Sequence, residues 1–224
     1  MKYREVKKGI FLSRPNRFIA RVEVDGVDTV VHVKNTGRCR ELLIPGAAVY
    51  LERSGNPRRK TAYDLIAVEK GERLINMDAQ APNRAFAEFA RRYDPTATAV
   101  RSEVPYGSSR LDFCLETPAG LHFVEVKDVT LEQDGHVTFP DAPTERGVKH
   151  LQELQRAVSE GHRVTVFFVV QMKDVTDFAP NDVNHAAFGA ALRRAAANGV
   201  TVAAYDCEVE PDGLVIGRPV KVIL

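Results

Sequence analysis

Residues 108–131, SSRLDFCLETPAGLHFVEVKDVTL, restrict the fold more than any other stretch. Two alternating apolar runs flank Pro118, Ala119 and Gly120, which reads as a β-hairpin with proline where its fixed φ suits a turn. Setting Thr117 opposite Gly120 fixes the other pairs. Leu111 then faces Val126 and Phe113 faces Val124, an apolar face ready to pack on a helix, while Asp112 faces Glu125 and Arg110 faces Lys127 on the other side. Like charges set opposite one another repel, so this polar face is destabilising unless something binds there. A divalent cation resolves the conflict: Asp112, Glu125 and a backbone carbonyl offer hard oxygen ligands suited to Mg²⁺ or Mn²⁺, with water and phosphate oxygens completing the shell. Lys127, on the same strand face as Glu125, would orient an attacking water or help deprotonate it, and would stabilise charge on a scissile phosphate. The competing reading is a solvated sheet face on which Asp112 and Glu125 form diagonal ion pairs with Lys127 and Arg110.

The hairpin lies in the second of two differently patterned regions. From Phe11 to about Met77 the signals are short strands and turns, such as RFIARVEVDGVDTVVHV around an Asp-Gly turn, and they predict a small antiparallel barrel or sandwich. DAQAPN (78–83) reads as a linker, with Asn83 capping a helix over 84–93, so the expected domains are 1–80 and 81–224. The pattern then predicts strands over 100–106, 110–115 and 121–127, a helix over 145–159, a strand over 163–170, a helix over 184–198 and a strand over 200–208. That αβββαβ order gives an α/β domain with a mixed sheet in a chain that is α+β overall. In the helix after PDAPTE, Val148, Leu151, Leu154 and Val158 form the apolar stripe, with Thr144 as N-cap and Gly161 at the end. Asp182, Asn184 and His185 read as the start of the following helix rather than as a catalytic cluster.

Of the 224 residues, 44% are hydrophobic and 27% charged, which suffices for a buried core. The formal net charge of +1 confines any nucleic-acid affinity to local clusters. No apolar run approaches the roughly 20 residues of a membrane span, and the charged N-terminus does not read as a signal peptide, so the expected location is the cytoplasm with no membrane partner. Cys39, Cys114 and Cys207 are scattered and form no C-x-x-C pair, which argues for reduced, passive thiols. There is no G-x-S-x-G, Walker-type or H-E-x-x-H motif.

The αβββαβ order with Asp112 and Glu125-Val126-Lys127 resembles the PD-(D/E)xK nuclease superfamily. A longer set of motifs resembles the sugar fermentation stimulation protein A (SfsA) family: NTGRCRELLIPG (35–46), INMDAQAPN (75–83), SEVPYGSSRLDFCL (102–115), FVEVKDVTL (123–131), FPDAPTERGVKHLQEL (139–154) and VTVFFVV (164–170). The resemblance implies an N-terminal OB-like β-barrel, a C-terminal nuclease-like domain, DNA binding and a link to regulation of sugar (maltose) catabolism. Two functions follow: a Mg²⁺-dependent nuclease, or a non-catalytic DNA-binding regulator that keeps the fold. RNA is an alternative substrate, and a homodimer would suit cleavage of both strands of a duplex.

The expected site is therefore Asp112, Glu125 and Lys127, with the first two as metal ligands. Glu145, Arg146, Lys149 and His150 would border it from the helix that the superfamily places beside its metal; Arg146, Lys149 and His150 also suit a phosphate at that helix N-terminus. Glu88 and Glu103 are additional acidic candidates, and Arg110 a basic one. In the first domain, Lys34, Asn35, Thr36, Arg38 and Arg40, and then Arg58, Arg59 and Lys60, are expected to line a groove that follows a nucleic-acid backbone through phosphate contacts.

Overall fold

The computed structural model describes residues 1–35, 37–107 and 109–224. The first region is an OB barrel of β1 (Val6–Asn16), β2 (Ile19–Val24), β3 (Val27–Val33), β4 (Ala48–Arg53) and β5 (Tyr63–Lys70), extended by β6 (Arg73–Asn76). Neighbours pair in the order β3-β2-β1-β4-β5-β6, and parallel pairing of His32 with Asp64 and of Val33 with Leu65 joins β3 to β5 and closes the barrel. The Asp-Gly turn between β2 and β3 is as expected, with φ of 52° at Asp25 and 77° at Gly26, the left-handed pair that a tight hairpin requires. At Gly9, β1 passes close to β2: a Cβ there would lie 2.6 Å from Val22 Cγ1 and 2.8 Å from the Glu23 carbonyl oxygen.

After β6 come α1 (Ala81–Tyr93), β7 (Ala99–Tyr106), β8 (Ser109–Thr117), β9 (Gly120–Val129), β10 (Leu131–Gln133), β11 (His136–Phe139), α2 (Glu145–Ser159), β12 (Arg163–Val170), β13 (Asp177–Pro180), α3 (Asp182–Ala197), β14 (Thr201–Glu210), β15 (Gly213–Pro219) and β16 (Lys221–Val222). The main sheet runs β15-β14-β12-β9-β8-β7. It is mixed: β12 is parallel to β9 and β14, whereas β7, β8 and β15 join antiparallel. Along β12 only Arg163 is exposed, as befits a strand covered on both faces. Phe86 and Phe89 of α1 pack on Phe113, Val124 and Phe167 on one side. On the other, Leu151 and Leu154 of α2 and Phe188 and Leu192 of α3 belong to a core that continues into the barrel through Phe11, Val22 and Leu51.

The described residues include elements that the sequence pattern did not reveal. β10, β11, β13 and β16 form a second small sheet, and β15 adds an antiparallel edge to the first. The strands of the small sheet are two to four residues long, too short for alternation to register. Helix starts also differ. Pro82 sits inside the first turn of α1, where its missing N–H costs nothing, and Asn83 is helical rather than a cap. The cap of α3 is Asn181, whose side chain accepts from the Asn184 amide; Asp182 instead pairs with Arg193 at 2.7 Å.

DAQAPN is no loose linker. Asp78 is fully buried, and its carboxylate accepts from Lys34 at 2.9 Å, Arg84 at 3.0 Å, the Tyr3 hydroxyl at 3.2 Å and the Gln80 amide at 2.9 Å. Gln171, at the end of β12, donates to Asn76 Oδ1 and to the Asp78 carbonyl. These bonds fasten the barrel to the main sheet. No helix among the described residues is long and apolar enough to cross a membrane. All three cysteines are buried and free, and burial pushes the Cys39 thiol up to about 12.

The aromatic cluster under α1 gives the first prediction. The Phe86 ring is fully buried, 4.9 Å from that of Phe167 and 5.0 Å from that of Phe113. Phe86→Ala should cost about 3–5 kcal/mol in denaturant unfolding at unchanged m-value. A loss below about 1 kcal/mol would show that α1 is not anchored through this ring.

Candidate metal centre and nucleic-acid surface

The β8–β9 hairpin has the expected register: Thr117 pairs with Gly120, Cys114 with Phe123 and Phe113 with Val124. Beyond Phe113 the ladder gives way to a side chain, because the Val126 amide donates to Asp112 Oδ2 at 2.8 Å. Asn83 of α1 donates to Asp112 Oδ1 at 3.1 Å. Leu111 accordingly does not share the face of Phe113 and Val126. It packs in the core on the barrel side, and opposite this break Glu103 adopts a left-handed φ of 55°.

Glu125 is 1% exposed, which removes it from the solvated face of the competing reading. Its Oε1 accepts from Lys127 Nζ at 2.6 Å and from His150 Nδ1 in a short contact, while its Oε2 is buried without a partner among the described residues. Arg146 Nε donates to His150 Nε2 at 3.3 Å, so the hydrogen-bond network assigns the ring proton to Nδ1. One oxygen of Glu125 is thus held by two donors and the other is left open. Burial opposes ionisation of Glu125, but the His150 hydrogen bond and the Lys127 ammonium win and hold its carboxyl down at about 2. Asp112 moves the other way: burial and the Glu125 charge push its carboxyl above the ordinary range, against Lys127.

These groups line an open cleft of about 460 Å³ between α1, the hairpin and the start of α2, together with Asp128, Phe139 and Thr144. Thr144 Oγ1 accepts from the Gly147 amide and caps α2, leaving Arg146 exposed at its first turn. Among the described residues no group of three or more His, Cys, Asp or Glu side chains is placed to hold a metal ion. The protein therefore offers two carboxylates, and a backbone carbonyl, water or a substrate oxygen would complete a shell. The unpartnered Oε2 and the upward shift of Asp112 fit such a cation. A larger cavity of about 680 Å³ on the barrel lacks this chemistry, since its Arg53 and Arg59 are set against Glu5 and Asp64.

The other candidates divide. Arg146 and His150 join the cleft. Lys149 is exposed and has no side-chain partner among the described residues, whereas Glu145 points to His185 Nε2 at 3.3 Å. Glu88 is not at the metal: it lies outside the cleft lining and accepts from the Met1 amine at 2.8 Å. Glu103 and Arg110, both exposed and outside that lining, face each other at 3.8 Å. In the barrel, Lys34 and Arg59 are not free for phosphate. Lys34 is committed to Asp78, and Arg59 holds Asp64 with two bonds of 2.6 and 2.8 Å. Asn35 is buried and folds back on the Gly37 amide at 2.7 Å. Arg38, Arg40, Arg58 and Lys60 are exposed, with no side-chain partner among the described residues. Thr36 lies outside the described residues.

Residues 12–77 match the model described as the SfsA N-terminal OB domain, and residues 80–213 match that of the sugar fermentation stimulation protein RE domain. The chain belongs to the SfsA family. Among its SfsA relatives, the sugar fermentation stimulation protein homolog of Desulfitobacterium hafniense (strain Y51) is 53% identical over 225 residues, covering 100% of this chain and 99% of the relative. That of Clostridium beijerinckii is 51% identical over 226 residues, with full coverage of both. A solved structure, Pyrococcus furiosus SfsA in complex with Ca²⁺, superposes with a TM-score of 0.89 at 26% identity and covers 100% of this chain and 98% of that one.

Two site features were not read from the sequence. Asn83, taken as a cap, is the donor that orients Asp112; Asp128, adjacent to Lys127, enters the cleft where burial and the Asp141 charge push its carboxyl up. The opposite shifts of Asp112 and Glu125 have opposite consequences. Asp112 titrates higher in the fold than unfolded, so its charge lowers stability as pH rises through that interval. Glu125 titrates lower, so its contribution is present above the ordinary value of 4.5 and is lost as pH falls towards 2. In EDTA at neutral pH, Asp112→Asn should melt at or above wild type, because Asn83 can turn its amide to match, and Glu125→Gln should melt below it. Both differences should shrink on acidification, and the reverse order at neutral pH would refute the electrostatic assignment.

Proposed function

We propose that this chain hydrolyses phosphodiester bonds of nucleic acid, DNA in the first instance, with a divalent cation held by Asp112 and Glu125. The observation that carries the reading is Glu125 Oε2, a buried carboxylate oxygen left open beside a second carboxylate. Ca²⁺ in the Pyrococcus furiosus relative is a hard, oxygen-seeking ion of the class this pair suits, and Mg²⁺ or Mn²⁺ would use the same donors. When bound, the cation would supply Lewis-acid stabilisation of phosphate charge and a more acidic water.

The remaining work falls to side chains. Val126 N–H and Asn83 fix the Asp112 carboxylate. His150 and Lys127 hold Glu125 Oε1 and so aim Oε2. Lys127 is 15% exposed at the cleft wall, where its ammonium can turn from Glu125 to a phosphate oxygen or to the water that attacks it. Arg146 and Lys149, exposed on the first turns of α2, supply positive charge where the helix amides already favour an anion.

Thermal melts and a cleavage assay on mixed DNA and RNA substrates with Mn²⁺ or EDTA test the reading. Mn²⁺ at a hundred times its Kd should stabilise wild type by about 2.7 kcal/mol. Lys127→Ala should keep that stabilisation and lose cleavage, and Asp112→Asn should lose both. Stabilisation without cleavage by wild type would favour a non-catalytic DNA-binding regulator. Equal stabilisation of wild type and Asp112→Asn would remove the metal site itself.

A further inference from the structure

Among the described residues, Phe18 is the one exposed phenylalanine or tyrosine, at 44%; the others are buried or half-buried. Phe18 stands in the turn between β1 and β2 and belongs to neither apolar core. It is not needed to shape the turn. Asn16 Oδ1 does that, accepting from the Phe18 amide at 2.9 Å and the Ile19 amide at 3.1 Å. The Arg17 guanidinium lies 4.7 Å from the centre of the Phe18 ring, a cation–π contact that leaves ring and cation together at the surface.

A second observation ties this turn to the metal cleft. Arg14 donates to four carbonyl oxygens, those of Arg17 at 2.8 Å, Asn35 at 2.7 Å, Gly37 at 2.9 Å and Arg38 at 2.8 Å, so one guanidinium fastens the turn to the loop after β3. The Arg38 amide in turn donates to Asp141 Oδ2 at 3.1 Å. Asp141 borders a small cavity lined also by Asn35, Asp128 and Phe139, and the last two line the metal cleft as well. The exposed ring, the exposed Arg38 and the cleft are therefore joined by a continuous set of hydrogen bonds and shared walls.

We propose that Phe18 and Arg17 form a stacking platform for an unpaired base, so that the nucleic acid handled by the cleft is taken as a single strand. This rests on the nucleic-acid reading above and specifies its substrate. A duplex hides its base faces in its own stack, whereas a single strand offers one to any exposed ring, and an adjacent guanidinium strengthens the contact without selecting sequence. Arg38 and Arg40 would meet phosphates between the platform and the cleft.

Fluorescence anisotropy of the full chain in EDTA tests this with labelled oligodeoxythymidine, oligouridine, an abasic strand of equal length and a duplex. Phe18→Ala should weaken single-strand binding by about 5- to 150-fold, and Phe18→Trp should retain it. Binding of Phe18→Ala to the duplex and the abasic strand should match wild type. Loss on the deoxy strand, the ribo strand or both supports the platform and identifies the backbone it accepts. Wild-type affinity of Phe18→Ala for both single strands, or an equal loss on the duplex, overturns it. Duplex binding by wild type without single-strand binding refutes the platform alone; binding to no nucleic acid refutes the reading beneath it as well.

Discussion

Keeping the Glu125 carboxylate ionised inside the protein is the constraint around which the site is organised. A buried charge is costly unless donors compensate it, and here Lys127 and His150 both converge on Oε1. Compensation on one oxygen leaves the other without a partner. Asp112 meets the same field from the opposite side: its carboxylate receives the Val126 and Asn83 donors, and its ionised form is disfavoured by burial and by Glu125. The hairpin thus stores an electrostatic conflict that a cation would relieve, and His150 and Arg146 couple α2 to it.

The cleft lies where three elements distant in sequence meet. α1 contributes Asn83, the hairpin contributes the carboxylates and Lys127, and α2 contributes Arg146 and His150. Asp78 and Gln171, both buried, keep α1 and the main sheet in register with the barrel. The barrel is consequently more than an attached module. Its loop after β3 is bonded through the Arg38 amide to Asp141, which shares a small cavity with Asp128 and Phe139 of the cleft wall, so barrel and cleft belong to one framework.

The hairpin was legible because a turn proline and strict alternation leave few registers, and the observed pairs from Phe113 to Thr117 follow from them. The barrel strands, α2 and the buried β12 were legible for the same reason: their periods are long enough to read. Partnership was not legible. Lys34, Arg59 and Glu88 have the composition of binding residues, yet each is consumed by a partner distant in sequence or across a turn, namely Asp78, Asp64 and the Met1 amine. Leu111 escaped alternation because a side-chain acceptor replaced the ladder at Asp112. In the sequence Phe18 is indistinguishable from the core phenylalanines, since only the folded structure shows that its ring stands at the surface.

The most direct test of the central claim is a crystal of this protein soaked in Mn²⁺ and measured for anomalous scattering. A peak is expected in the cleft within about 2.0–2.6 Å of Glu125 Oε2 and of an Asp112 oxygen, with Lys127 outside the coordination shell. A peak elsewhere, or a cleft that stays empty while Glu125 Oε2 takes a protein donor, would contradict it.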